Sequence, residues 1–179
     1  MGIDAVEGSL GLRHDVTAKI KITDRGYARL LHTLESMKAA RVTVGVHAAQ
    51  GNAQHAVASS NSNAAPAAVT LLDVAAWNEF GMGVPERPWL RGWFDQNTTK
   101  NQKTIATIAK SILQGRRSIG DGLEAIGARF VGELQQWISD GSHVLPDAAS
   151  TVRAKGSSVP LIDTGQLRTS ITYTVRLTG

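Results

Sequence analysis

Two periods alternate along the chain. From Asp15 to Thr23, Val16, Ala18, Ile20 and Ile22 alternate with Thr17, Lys19, Lys21 and Thr23, the two-residue repeat of a half-buried strand. Asp24 is placed to cap a helix whose apolar stripe is Tyr27, Leu30, Leu31, Leu34 and Met37, spaced by three and four. Arg41 to His47 returns to β-branched alternation and predicts a second strand. Thr70 with Asp73 makes a capping box that opens a short helix. Thr98 to Ser118 reads as a helix with Ile105, Ile108, Ile112 and Leu113 on one face. Lys100, Lys103, Thr107, Lys110 and Gln114 fall on the other. Asp121 with Glu124 predicts a second capping box and a helix to about Ser139, its stripe Leu123, Ile126, Phe130, Leu134 and Trp137. Gly127 and Gly132 interrupt that stripe, at about 1 kcal/mol each unless close packing offsets it. Asp163 with Gln166 predicts a third box around a single turn. The alternation Ile171, Tyr173, Val175, Leu177 then makes a terminal strand.

Between these segments the pattern stops. Met1 to His14 is Gly-rich and reads as an arm. Ala48 to Ala68 and Gly141 to Pro160 are rich in small and polar residues and read as exposed loops, since they hold too little apolar surface to offset their ordering entropy. The expectation is one α+β domain over residues 15–179. It would have a small antiparallel or mixed sheet of three to four strands, about four helices and long flexible loops at about 48–68 and 141–160.

Composition sharpens one stretch. Trp77 to Asn97 holds three of the four tryptophans and two of the three phenylalanines, with Gly81, Gly83, Pro85 and Pro88 fixing the backbone. Gly81 can end a helix in the left-handed conformation, and Pro88 suits the first turn of the next. This reads as helix, rigid elbow, helix, with Trp77, Phe80, Trp89, Leu90, Trp93 and Phe94 in one anchor cluster. Arg87 and Arg91 flank Trp89 and suit an interface rim, where Trp and Arg are enriched.

Charge changes the picture locally. The net +4 is mild, but no acid lies between Asp95 and Asp121, while Lys100, Lys103, Lys110, Arg116 and Arg117 do. That face is either solvated or turned towards phosphate, whose attraction needs only clustered cations. Base-specific readout is not expected, because no recognised DNA-reading motif and no interleaved aromatics accompany it.

Candidate chemistry is thin. The chain has no cysteine, which removes disulfides and thiolate sites together. His14, His32, His47, His55 and His143 show no ligand spacing, and no phosphate-cradling glycine motif occurs. Neither a cofactor nor a metal is expected. The start lacks the pattern of a signal peptide, and no run approaches the roughly 18 apolar residues of a membrane span. Leu161-Ile162-Asp163-Thr164-Gly165 matches the aspartic protease signature locally, which would need a second aspartate from a dimer. Only 14 residues follow Gly165, however, and a helix cap explains the same letters.

Two blocks carry a family resemblance. Asn78-Glu79-Phe80-Gly81 followed by Val84-Pro85-Glu86-Arg87-Pro88-Trp89-Leu90-Arg91 resembles the "NEFG … IPARPFLR" segment of neck and tail-completion proteins of long-tailed double-stranded DNA phages. These include minor tail proteins of the Z type and virion morphogenesis proteins. Asp163-Thr164-Gly165-Gln166-Leu167-Arg168-Thr169-Ser170-Ile171 resembles their "DTGRLRxSI" segment, and Val42 to Val46 their "V.VGV" strand. Glu86 and Trp89 replace the commoner Ala and Phe. The resemblance implies a structural virion protein without enzymatic activity, in rings often of six or twelve copies where tail meets head. It implies that Trp77, Phe80, Arg87, Trp89, Arg91, Trp93, Asp163 and Arg168 act as anchors or subunit contacts. Partners would be connector, tail terminator or tail tube, with genomic DNA passing the lysine-rich helix without sequence specificity. The protein would sit in the virion neck, after assembly in the host cytoplasm. The alternatives are a tail terminator or head-completion ring of the same neck, a DNA-binding accessory protein, or the dimeric aspartic protease.

Overall fold

The computed structural model describes residues 26–53 and 69–177. In chain order the elements are α1 (Tyr27–Ala39), β1 (Arg41–Val46), α2 (Ala48–Gly51), α3 (Leu71–Phe80) and α4 (Trp89–Gln96). They continue with α5 (Thr98–Leu113), α6 (Ile119–Asp140), α7 (Ala149–Lys155), α8 (Gln166–Ser170) and β2 (Ile171–Arg176). The class is α+β, but among the described residues the sheet has two strands, not three or four, and there are eight helices, not about four. The third expected strand, Asp15 to Thr23, lies outside the described residues, as do the arm at 1–14 and most of the expected loop at 48–68. Two stretches read as loops contain short helices, α2 and α7.

β1 and β2 run antiparallel, with Val42 opposite Val175, Val44 opposite Tyr173 and Val46 opposite Ile171. These six side chains share one face, because alternate residues of a strand point the same way, and α6 packs on the sheet. The other face is polar. Thr43 and Thr174 lie 2.9 Å apart, and the His47 ring nitrogen is 2.9 Å from Thr174 and 3.2 Å from Thr43.

α6 is the central element. Its buried stripe is Ile126, Phe130, Leu134 and Ile138, which meets Leu71, Ala75, Trp89, Trp93, Leu167 and Ile171 in one core. Each such side chain contributes about 1.5–3 kcal/mol when fully buried. Trp137, the expected end of the stripe, instead lies at the core margin, stacked on the His143 ring at 3.7 Å. The helix opens earlier than expected, because Ser118 rather than Asp121 is the cap: the Ser118 hydroxyl accepts from the Asp121 amide at 3.0 Å. Two of its glycines are points of close approach. A Cβ on Gly122 would overlap the Ile112 side chain, and one on Gly127 would overlap the Tyr173 ring. The missing side chains let α5 and β2 close on the helix.

That closeness also sets the roll of α5. Its buried positions are Asn101, Thr104 and Ile112, while Ile105, expected on the apolar face, is exposed. α1 differs from every longer helix of the described residues in burying none of its side chains.

Candidate functional site

The elbow between α3 and α4 is built from its own side chains. Thr70 and Asp73 form the expected capping box: the Thr70 hydroxyl accepts from the Asp73 amide at 3.2 Å, and the Asp73 carboxylate accepts from the Thr70 amide at 2.9 Å. Bonds from the Thr70 hydroxyl and then its amide hold the Asp73 carboxyl below the usual carboxylate range. α3 ends on Gly81 at φ 69°, where a Cβ would meet Glu86 at 3.0 Å. The chain then doubles back, and the Arg87 amide donates to the Asn78 carbonyl at 2.7 Å.

Pro88, just before α4, supplies no side-chain cap. Glu79 supplies it from the preceding helix. Its buried carboxylate accepts from the amides of Leu90 and Arg91, both at 2.9 Å, and from the Arg91 Nε at 3.0 Å. A negative charge at a helix N-terminus is favoured both by the free amides and by the macrodipole. The Arg91 guanidinium also donates to the Glu79 carbonyl at 2.6 Å and to Glu86 at 2.8 Å, and lies over the Phe80 ring at 5.1 Å. The Trp89 indole N–H donates to the Ala75 carbonyl at 3.0 Å inside the core. The motif letters from Asn78 to Arg91 thus describe one hydrogen-bonded joint.

A second joint fastens the elbow to the segment after α6. Arg87, itself buried, donates through Nε to the Leu145 carbonyl at 2.9 Å and pairs with Asp147 at 2.9 Å. Lys155 pairs with the other Asp147 oxygen at 2.5 Å and donates to the Val159 carbonyl at 2.7 Å. Beside this triad is a cleft of about 190 Å³ lined by Asn78, Arg87, Asp147, Lys155, Asp163 and Gln166, among others. Residues from both motif blocks, remote in sequence, therefore line one cleft.

The second block differs from expectation in detail. α8 opens on Gly165, at φ 76°, and not on Asp163 as expected. The Thr164 hydroxyl accepts from the Gln166 amide at 3.4 Å instead. Arg168 is exposed and donates to the Ser139 hydroxyl at 3.1 Å, tying α8 to α6. For aspartyl chemistry within the cleft, Asp147 is the neighbouring carboxylate. Its two oxygens pair with Arg87 and Lys155.

The expected aromatic cluster divides. Trp89 and Trp93 are core, the latter edge-on to Phe130 at 5.4 Å, and Leu90 packs against them. Trp77 is half-buried, whereas Phe80 and Phe94 are 60% and 52% exposed. The basic residues divide as well. Lys100 pairs with Glu133 at 3.1 Å. Lys103, Lys110, Arg116 and Arg117 are exposed and make no ion pair among the described residues. A shallow groove of about 570 Å³ between α5 and α6 brings Lys100 and Lys103 together with Arg129.

Glu79, Asp147, Lys155 and Arg129 are the residues that sequence reasoning missed. Only Glu79 had a usable signal, since it sits inside the first motif block. The histidines do not gather: His32 is exposed, His47 joins the sheet threonines, and His143 lies 2.8 Å from Asp140. His14 and His55 lie outside the described residues. Among the described residues no group of three or more His, Asp or Glu side chains is placed to hold a metal, and no helix is long and apolar enough to cross a membrane. Compared with known proteins, the chain matches no family model, no curated protein and no solved structure.

Proposed function

We propose that the chain is a structural virion protein of the neck of a long-tailed double-stranded DNA phage. It would form a homo-oligomeric ring that joins or completes the tail at the head–tail interface. The observation that carries this reading is the convergence of its two resembling blocks. Asn78 and Arg87 of one and Asp163 and Gln166 of the other line one cleft, braced by Asp147 and Lys155. Motif letters explained by bracing suit a protein whose work is to keep a shape while neighbours assemble on it. The exposed cations Lys103, Lys110, Arg116 and Arg117 suit a lumen that lets phosphate slide without gripping a sequence.

Electron microscopy of particles carrying a tagged copy tests this. The expected density is a ring between connector and tail tube, and particles lacking the protein should separate into heads and tails. A protein absent from purified particles, with normal particles formed without it, overturns the reading. The same four cations, unpaired among the described residues, also favour a second reading, a DNA-binding accessory protein. That reading expects duplex binding by the isolated chain and no density in the particle.

A further inference from the structure

The sheet has a polar face that the reading above leaves unused. Arg41, Thr43, Thr174 and Arg176 point away from the apolar side that α6 covers, and all four are exposed. Arg41 stands directly opposite Arg176, and Thr43 directly opposite Thr174. Side chains so placed have Cβ atoms about 4.5–5.5 Å apart, and like charges there repel. Among the described residues neither guanidinium has an ion pair or a side-chain hydrogen bond to relieve this. The flanking sequence supplies no acid either, since residues 36–72 and 164–179 contain no Asp or Glu.

Counting protons adds a third donor. The His47 Nε2 lies 3.2 Å from the Thr43 hydroxyl and 2.9 Å from that of Thr174, and the two hydroxyls are 2.9 Å apart. The other ring nitrogen, Nδ1, is buried and has no hydrogen-bond partner among the described residues. A buried N–H without an acceptor is rarer than a bare acceptor, which puts the ring proton on Nε2. Nε2 then donates to one hydroxyl, and that hydroxyl donates to the other. The last O–H proton is left for an acceptor outside the triangle. The face thus offers two guanidinium groups and one hydroxyl, all as donors.

A phosphodiester matches this, being charged and presenting only acceptor oxygens; backbone phosphates are commonly met by arginine and threonine. A single free anion would gain little on so open a surface. Nucleic acid gains more, because each phosphate neutralised releases condensed counterions. This surface is also separate from the lysines of α5. Gly122 faces Ile112 of α5 and Gly127 faces Tyr173 of β2, and five residues place them about 140° apart around α6.

We propose that Arg41, Arg176 and the Thr43–Thr174 pair form a phosphate-binding face for a nucleic-acid backbone. The assignment does not depend on the neck reading, which draws its cations from α5.

The test titrates a short DNA duplex into the isotope-labelled full chain and follows the arginine side-chain signals by NMR. The Nε–H signals of Arg41 and Arg176 are expected to shift. Arg41→Gln with Arg176→Gln should weaken binding about tenfold or more at low salt. The slope of log affinity against log salt should fall by up to about two units, at about 0.9 for each phosphate released. Thr43→Val with Thr174→Val should weaken binding several-fold at unchanged slope, since a hydroxyl carries no charge. Arg153→Gln removes an exposed cation from α7 and should cost less affinity than Arg176→Gln. The arginine variants should melt no lower than wild type, because a repulsion has been removed. Arginine signals that stay still with DNA, or that move with inorganic phosphate alone, would overturn the proposal. So would an Arg153 variant that loses as much, or polyglutamate held as tightly through the same two arginines. None of these outcomes moves the density expected in the particle, so the neck reading is decided separately by the microscopy.

Discussion

α4 and α5 meet at Asn97, yet the elbow on one side and the basic helix on the other use charge in opposite ways. In the elbow, Glu79 is 5% exposed and its carboxylate is filled by three donors, and Arg87 is 7% exposed and held by Asp147. On α5, Lys103 and Lys110 stand in solvent with no ion pair among the described residues. Burial explains the difference. An ion removed from water must be paired or hydrogen-bonded, whereas an exposed one holds little of the fold whichever way it turns. Glu79 and Arg87 are thus committed to shape, whereas Lys103 and Lys110 stay in water.

The largest effect is expected at Asp147. Asp147→Ala leaves buried Arg87 and half-buried Lys155 without their counter-ion, and removing one partner of a buried pair costs about 3–5 kcal/mol. The expected result is a lowered urea midpoint at unchanged slope. A loss under about 1 kcal/mol, well short of that buried-pair cost, would mean that the triad does not brace the joint. Glu79→Ala comes next. It uncaps α4 and frees the partly exposed Arg91, so about 2–3 kcal/mol is expected from the lost charged hydrogen bonds. Glu79→Gln should recover part of this, because an amide oxygen still accepts.

These two residues show what sequence could and could not convey. Amphipathic periods placed α1, β1, α6 and β2 well, and the glycine and proline positions gave the elbow. The buried stripe of α6 was legible because its spacing is local. Asp147 was not, since nothing in a loop of small residues announces a partner as remote in the chain as Arg87. The roll of α5 was hidden for a related reason. Its burial of Thr104 in place of Ile105 depends on Gly122, on another helix, making room for Ile112. The helix start expected at Asp163 falls two residues later, where Gly165, at positive φ, turns the chain into α8.

Glycines offer a sharper comparison within one helix. Gly127→Ala would push a methyl into Tyr173, and overpacking of this kind costs about 1–3 kcal/mol. Gly132→Ala meets nothing within 4 Å and should stabilise by about 0.5–1 kcal/mol through helix propensity. Opposite signs in thermal melts are the expected outcome, and equal signs would remove the case for close packing against β2. A smaller effect belongs to Asp73. Its folded value is depressed by Thr70, so its contribution is complete above the unfolded carboxylate range and is lost as pH falls through the lowered folded value. Carbon-detected titration of wild type and Thr70→Ala should show the Asp73 midpoint move up once the hydroxyl is gone.

The smallest effect on the fold is expected where charge is least committed. Lys103→Gln with Lys110→Gln should change stability by less than about 0.5 kcal/mol, because neither lysine pairs within the described residues and surface charges contribute little. Retention on duplex DNA is the measurement that should move. Each phosphate no longer neutralised lowers the slope of log affinity against log salt by about 0.9, so up to about two units are expected if both lysines face the backbone. Glu79→Gln, with its charge change in the elbow, should leave that slope unaltered. A double lysine variant that unfolds early while holding DNA as tightly as wild type would reverse the assignment, making α5 the brace and leaving the partner-facing charge to be found elsewhere.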